Sequence, residues 1–196
     1  KNLLFKDEEF RFYTALILAA SGLLTFLLWR DFGTNLSDSF RFAIFHVVTI
    51  MTSTGFATTD FNLWPESSKM ILIIVMFFGA CAGSTGGGIK VVRILILLKH
   101  SRMELFKALH PRAVKSIKFN NKNVPDEIVN SIVSFVVIYL LVFLSSSLIL
   151  SILGMDIITS ITASIATLGN IGPGLNVVGP MGSFDPVPPL GKLVLI

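Results

Sequence analysis

Met51-Thr52-Ser53-Thr54-Gly55-Phe56-Ala57-Thr58-Thr59 is a hydroxyl-rich turn centred on glycine, and it follows a short apolar stretch. About 114 residues later a second such turn appears, Ala166-Thr167-Leu168-Gly169-Asn170-Ile171-Gly172-Pro173-Gly174. Each turn is preceded by an apolar stretch too short to cross a bilayer, and each of those stretches follows a longer one that can cross. Irregular backbone at membrane depth survives only where it lines a wet cavity or is buried in protein. Rings of backbone carbonyls can replace a cation's hydration shell. The order span, half-span, Gly turn, span therefore implies part of a cation-conducting pore.

Composition agrees. Of 196 residues, 53% are hydrophobic and 14% charged, whereas soluble domains carry about 25% charged residues. The solvent is lipid. The chain starts at Lys1 and stops at Ile196 inside an apolar run, which reads as a piece of a longer protein. The lone Cys81 implies no disulfide framework and is expected to be a small buried residue.

The net charge of +4 is unevenly spread. Between Lys90 and Lys122 nine Lys/Arg stand against Glu104 alone, whereas Asp156 to Pro189 holds Asp156 and Asp185 and no Lys or Arg. The positive-inside rule puts residues 90–122 in the cytoplasm and both Gly turns outside. Flanking spans make topology a simpler account of the basic run than nucleic-acid binding, which is not expected.

Phe12–Trp29 is uncharged for 18 residues, about 27 Å as a helix, with Trp29 and Arg30 as interfacial anchors. A cleaved signal would end in small residues, which Trp29-Arg30-Asp31-Phe32 are not. Ser37 or Asp38 can cap a helix from about Ser39 to Met51, roughly 20 Å and too short to span. Phe40, Phe42, Phe45 and Val48 are expected to form its packing faces. His46 has no second ligand at i+4, so it reads as a packed or hydrogen-bonded residue. The Asn35-Leu36-Ser37 sequon is too short a pattern to carry weight. The negative end of this helix's dipole faces the Gly turn and favours a cation there.

Met70–Ile89 is uncharged for 20 residues, yet its second half contains Gly79-Ala80-Cys81-Ala82-Gly83-Ser84-Thr85-Gly86-Gly87-Gly88. An interior Gly costs a helix about 1 kcal/mol relative to Ala, so three in a row should break it. Close helix packing through small residues spaces them by four and keeps the helix. An unwound intramembrane loop over Ala82–Gly88 is the expectation, because broken helices mark ion sites or gates. A phosphate loop is excluded, since Ile89 separates Gly88 from Lys90 and Val91 follows.

Beyond it, His100–Phe119 is a basic amphipathic stretch suited to the inner leaflet or to a cytosolic partner. Asn120 to Pro125 reads as a loop, and Ile128–Met155 is uncharged for 28 residues, a tilted span. Asp156 is expected to cap a short helix from Ile157 to about Leu168. A Gly- and Pro-rich loop follows, and Leu190–Ile196 begins another apolar run.

Three motifs carry a resemblance: Thr52-Ser53-Thr54-Gly55-Phe56-Ala57, the segment Gly79 to Lys90, and Thr167-Leu168-Gly169-Asn170-Ile171-Gly172-Pro173-Gly174-Leu175. In this order they resemble the Trk/Ktr/HKT family of potassium transporters, most closely its bacterial Trk membrane subunits. The resemblance implies an all-α integral membrane protein of repeated helix–pore helix–helix units around one ion pore, with a broken second helix. Residues 1–122 would be one complete repeat, the third of four, with its basic cytoplasmic loop. Residues 123–196 would start the fourth. The family's filter positions carry over to Ser53, Thr54, Gly55 and Phe56, and to Thr167, Leu168, Gly169 and Asn170, with K⁺ held at Ser53, Thr54, Thr167 and Leu168. Its gate loop carries over to Ala82, Gly83, Ser84, Thr85, Gly86, Gly87 and Gly88. The resemblance also implies a bacterial cytoplasmic (inner) membrane location, a homodimer, and a cytosolic nucleotide-binding regulatory subunit. The transported K⁺ ion is the only ligand it implies, with no organic cofactor.

These readings give three functional classes. Channel-like K⁺ uptake is the first. A carrier coupling K⁺ to H⁺ or Na⁺ would need an intramembrane carboxylate for proton coupling, and none lies in the three uncharged runs. An enzyme is not expected, because no His/Cys/Asp/Glu cluster stands at catalytic or metal spacing. The two turns are expected to face each other across one permeation path, so that Gly55→Ser would loosen selectivity without unfolding the protein.

Overall fold

The structure, a computed structural model, describes residues 3–110 and 116–196. Lys1 and the basic-stretch residues Arg112, Val114 and Lys115 lie outside the described residues. A short helix, α1 (Leu3–Lys6), precedes α2 (Glu8–Asp31). The start of α2 is fixed by Asp7, whose carboxylate accepts the Phe10 N–H at 2.9 Å, and by Glu8 and Glu9 at the positive end of its dipole. The helix therefore begins ahead of the uncharged run.

The short helix α3 (Leu36–Met51) opens three residues earlier than Ser39. Asn35 takes the N-cap position without using its side chain, and the Ser39 hydroxyl bonds the Asn35 carbonyl at 3.0 Å. Ser37 and Asp38 thus sit inside the first turn and cap nothing. At 16 residues, about 24 Å, α3 is still short of a bilayer core. Its inward face is also not the one expected from Phe40, Phe45 and Val48. Ser39, Ala43, His46, Val47 and Ile50 are buried, whereas Phe40, Phe45 and Val48 are exposed and only Phe42 packs partly inward. Ser39 and Ala43 are small, and His46, Val47, Ile50 and Met51 fill the interior further along the helix. His46 is fully buried as expected, with Nδ1 against the Phe42 carbonyl at 2.8 Å and its ring edge-on to Trp64.

The second apolar run breaks earlier than its glycines suggest. Helix α4 (Glu66–Met76) ends before Gly79, residues 77–90 are irregular, and α5 (Val91–Leu109) follows. The freed backbone is satisfied by a parallel bridge between Phe78 and Ile89. Gly79 N–H donates to Ile89 O at 2.5 Å and Ile89 N–H to Phe77 O at 3.2 Å, so the loop is pinched shut at its base. A Cβ on Gly79 would stand 2.5 Å from Gly87 O, which is why the strand pair needs glycine there. Cys81, in this loop, is half-buried rather than buried.

Helix α5 runs on through His100, so residues 100–109 of the amphipathic stretch are its last turns. The expected loop at Asn120 is the turn of a hairpin, β1 (Lys118–Phe119) with β2 (Lys122–Asn123). Asn120 and Asn121 both have positive φ, 49° and 62°, the pattern of a two-residue hairpin turn. The repeat boundary expected between residues 122 and 123 falls inside β2. Helix α6 (Asp126–Ile152) is followed by α7 (Ile157–Leu168), which Asp156 caps through the Thr159 N–H at 3.0 Å as expected, and α8 (Pro189–Leu195) ends the chain.

Helices α2 and α6 are long and apolar enough to cross a membrane, and only 22% of each apolar window is buried inside the structure. The main core joins both halves: Leu28, Ile50, Met51 and Leu72 pack in one cluster with Ile165, Ile171 and Leu175. A second cluster, Ile96, Met103, Ile117, Val129 and Ile132, seats the hairpin between α5 and α6.

Candidate functional site

Both short helices end in the same hydrogen-bonded turn. After α3, Ser53 N–H bonds Ile50 O at 3.0 Å and Thr54 N–H bonds Thr49 O at 2.8 Å. After α7, Asn170 N–H bonds Thr167 O at 3.0 Å and Ile171 N–H bonds Ala166 O at 2.8 Å. These paired bonds define a Schellman cap, and in each the first residue beyond the cap is left-handed: Ser53 at φ 55° and Asn170 at φ 51°. Two residues on, Gly55 and Gly172 have φ 77° and 101°.

The geometry therefore matches Ser53-Thr54-Gly55-Phe56 to Asn170-Ile171-Gly172-Pro173. That is three residues beyond the expected register of Thr167 to Asn170. Thr167 and Leu168 are the last residues of α7, and Gly169 is its C-cap at φ −86°. The Thr167 hydroxyl is spent on the Ala163 and Ser164 carbonyls, 3.0 Å from each. Among the described residues, the carbonyls of Ser53, Thr54 and Gly55 and those of Asn170, Ile171 and Gly172 accept no hydrogen bond.

The two turns do not stand apart across a gap. The Ser53 hydroxyl donates to Gly169 O at 2.8 Å, and a Cβ on Gly55 would lie 2.0 Å from Ile171 O. They are side-by-side neighbours. Their outer flanks are joined as well, by the side-chain amide of Asn62 in the short helical turn Phe61–Leu63. Asn62 Oδ1 accepts the Asn176 N–H at 2.8 Å and Nδ2 donates to Asn176 O at 3.1 Å. Asn176 Nδ2 donates in turn to Asp156, the α7 cap, at 2.9 Å.

On the other side, the loop 82–88 lies directly against both turns. A Cβ on Gly87 would stand 2.6 Å from Gly169 C and O, and one on Gly86 would be 3.1 Å from Ser53 Oγ. Lys90 holds the loop, its ammonium donating to Ser84 O and Gly86 O at 2.6 Å each. Ser84 Oγ accepts the Gly86 N–H at 3.2 Å. At the loop's other end, the Ala82 N–H donates to Glu9 Oε1 at 2.6 Å.

So the structure brings Ser53, Gly55, Gly86, Gly87 and Gly169 together, as the three motifs require. Reading the sequence missed Asn62, Asn176 and the roles of Glu9 and Lys90. The two asparagines could have been found, since each follows its Gly turn into a short apolar loop. The reach of Glu9 to Ala82, 73 residues on, left no local signal.

Comparison with known proteins bears on this arrangement. Residues 11–196 match the family model TrkH, described as a cation transport protein. The chain is 38% identical over 195 residues to the Trk system potassium uptake protein TrkH of Salmonella typhimurium, covering 97% of this chain and 39% of that protein. It is 42% identical over 176 residues to TrkH of Vibrio parahaemolyticus, covering 88% of this chain and 36% of that one. With TrkG of Escherichia coli K12 it shares 36% identity over 171 residues, 87% of this chain and 35% of that protein. The crystal structure of the potassium transporter TrkH from Vibrio parahaemolyticus superposes with a TM-score of 0.89 at 38% identity, over 99% of this chain and 41% of that one. The chain thus spans about two-fifths of the length of these relatives.

Proposed function

The chain belongs to the TrkH cation transport family, an all-α integral membrane family, and from that premise we propose that it forms two neighbouring repeats of a K⁺-uptake pore. Residues 1–122 are the third repeat of four and 123–196 the start of the fourth, in a bacterial cytoplasmic membrane. The K⁺ filter is lined by carbonyls of Ser53, Thr54 and Gly55 and of Asn170, Ile171 and Gly172, a quarter of the ring from each turn. The observation that carries this reading is the repeated cap with its unpaired carbonyls, placed at the negative ends of α3 and α7. K⁺ passes by channel-like permeation, and the loop 82–88 beneath the turns is the gate. Its close approach to Gly169 and Ser53 supports this reading, and three adjacent Gly let its backbone move. The whole protein works as a homodimer whose α5 and hairpin face a cytosolic nucleotide-binding subunit.

The test uses the full-length protein in liposomes. Removing residues 82–88 should raise passive K⁺ flux while K⁺ stays preferred over Na⁺. Flux that follows the K⁺ gradient alone supports a channel; flux that stops without a H⁺ or Na⁺ gradient makes it a carrier. Unchanged flux in a folded deletion mutant removes the gate from this account. For orientation, Leu63, exposed beside the outer clamp, is replaced by Cys, and so is Ser116. An impermeant thiol reagent should reach the first from outside and the second only after permeabilisation.

A further inference from the structure

The N-cap and first turn of α2 hold three consecutive carboxylates, and each goes to a different partner. Asp7 Oδ2 accepts from Asn120 Nδ2 at 2.8 Å, while Asn120 Oδ1 accepts the Glu8 N–H at 2.9 Å, so the hairpin turn docks on the end of α2 through both faces of one amide. Glu8 pairs with Lys99 of α5, and the same ammonium donates to Lys118 O of β1 at 2.7 Å. Glu9 alone points to the loop and accepts the Ala82 N–H at 2.6 Å. The hairpin, α5 and the loop thus meet on three neighbouring residues. The left-handed φ of Asn120, 49°, is what presents its amide to α2.

Lys90 and Glu9 act on the loop in different ways. Lys90 lies within the loop's own chain segment and binds two of its carbonyls, which folds the loop on itself. Glu9 binds it from another element, and its carboxylate ties the start of the loop directly to α2. A carboxylate accepting a backbone N–H is a charge-assisted bond, stronger than a neutral one.

We infer that Glu9 is a positioning residue that holds the loop 82–88 in its closed place, and that the hairpin, fastened to Asp7 and Glu8 through Asn120 and Lys99, is the part of the cytoplasmic surface whose displacement releases it. This rests on the reading of the loop as a gate. A push on the hairpin pulls the first turn of α2, the turn that carries Glu9, and the Ala82 bond is the first loop contact to break. The Glu9 bond is separate from the bonds that join the turns, Ser53 to Gly169 O and Asn62 to Asn176, so those bonds persist when Ala82 is released.

The test is made on the full-length protein in liposomes without any partner, with Cys81 as its only thiol. Cys81 is free and half-buried next to Ala82, so its alkylation rate reports release of the loop when Glu9→Ala is compared with Glu9→Gln, which removes the same nearby charge. Glu9→Ala should raise basal K⁺ flux and the Cys81 alkylation rate about tenfold, the worth of one charge-assisted hydrogen bond, with the K⁺ to Na⁺ flux ratio unchanged. Glu9→Gln keeps an acceptor oxygen and should stay within about threefold of the unmodified protein. Asn120→Ala, at the other end of the linkage, should move both readouts the same way by a smaller factor, and it reads the proposal even where Glu9→Ala does not fold. The control is deletion of residues 82–88. If that deletion raises flux while Glu9→Ala and Asn120→Ala alter neither flux nor alkylation, the linkage is wrong and the gate stands. Unchanged flux in the folded deletion mutant overturns the gate and this inference with it.

Discussion

The two Gly turns share one backbone and almost no side chains. Ser53-Thr54-Gly55 and Asn170-Ile171-Gly172 form the same pair of cap bonds and the same left-handed positions, yet only glycine recurs at a matched site. What is repeated is the direction of the carbonyls, set by the cap, and the side chains are free to serve local needs. Ser53 uses its hydroxyl to tie the turns together. Asn170 occupies the corresponding left-handed position, which asparagine tolerates better than most residues. The two glycines also differ in kind. Gly55 is required by its φ and by Ile171 O at 2.0 Å from a would-be Cβ, whereas Gly172 has open space there and is required by its φ alone.

That difference gives the largest expected effect. Gly55→Ala or Gly55→Ser must displace the second turn, so the mild outcome expected from sequence gives way to a heavier one. Either change should abolish the preference for K⁺ over Na⁺ and cost well over about 2 kcal/mol, while Gly172→Ala costs about 1 kcal/mol and weakens selectivity only in part. Ion competition in flux assays and thermal unfolding of the full-length protein check both. Equal effects at the two sites would break the comparison.

Next in size is the outer clamp. Asn62→Ala removes two hydrogen bonds to Asn176. A loss of about 2 kcal/mol in stability is expected, with K⁺ selectivity reduced because the flanks of the turns are no longer held in register. Asn62→Asp keeps one acceptor and should fall between. Ser53→Ala removes the single bond to Gly169 O and should cost about 1 kcal/mol. A measured cost at Ser53 larger than at Asn62 would mean that the turns are aligned from within rather than from their rim.

The smallest effect compares the two capping aspartates. The Phe10 N–H, aided by Asn120 against a burial penalty, holds the Asp7 carboxyl below the usual range. At Asp156 burial pushes upward, and hydrogen bonds from Thr159 and Asn176 outweigh it, so it too is lowered. A lowered folded value means stabilisation that is present above the ordinary carboxylate value of 3.8 and lost as pH falls through the folded values. The melting temperature should therefore drop below about pH 4, and Asp7→Asn or Asp156→Asn should each flatten that drop. A pH profile unaltered in both variants would show that neither cap titrates with folding.

The sequence by itself determined the membrane class, the alternation of long and short apolar helices, the two turns and the broken span. Each of these depends on composition or on local backbone chemistry, which a chain carries wherever it is. Lengths of uncharged runs, the cost of three adjacent Gly and the Asp156 cap are all of this kind. Only the tertiary structure decided the register of the second turn. Gly169 looks like the left-handed residue that ends a helix, but the cap bonds give that position to Asn170, and both residues tolerate it. Tertiary packing also turned the face of Ser39, Ala43, His46, Val47 and Ile50 inward and left Phe40, Phe45 and Val48 outside, a choice between two largely apolar faces that periodicity alone does not make. The contacts of Glu9 with Ala82, Asp7 with Asn120 and Asn62 with Asn176 join residues 73 to 114 positions apart. A hydrogen bond over such a separation leaves no periodicity in the chain, since it exists only once the helices that carry its two ends have packed.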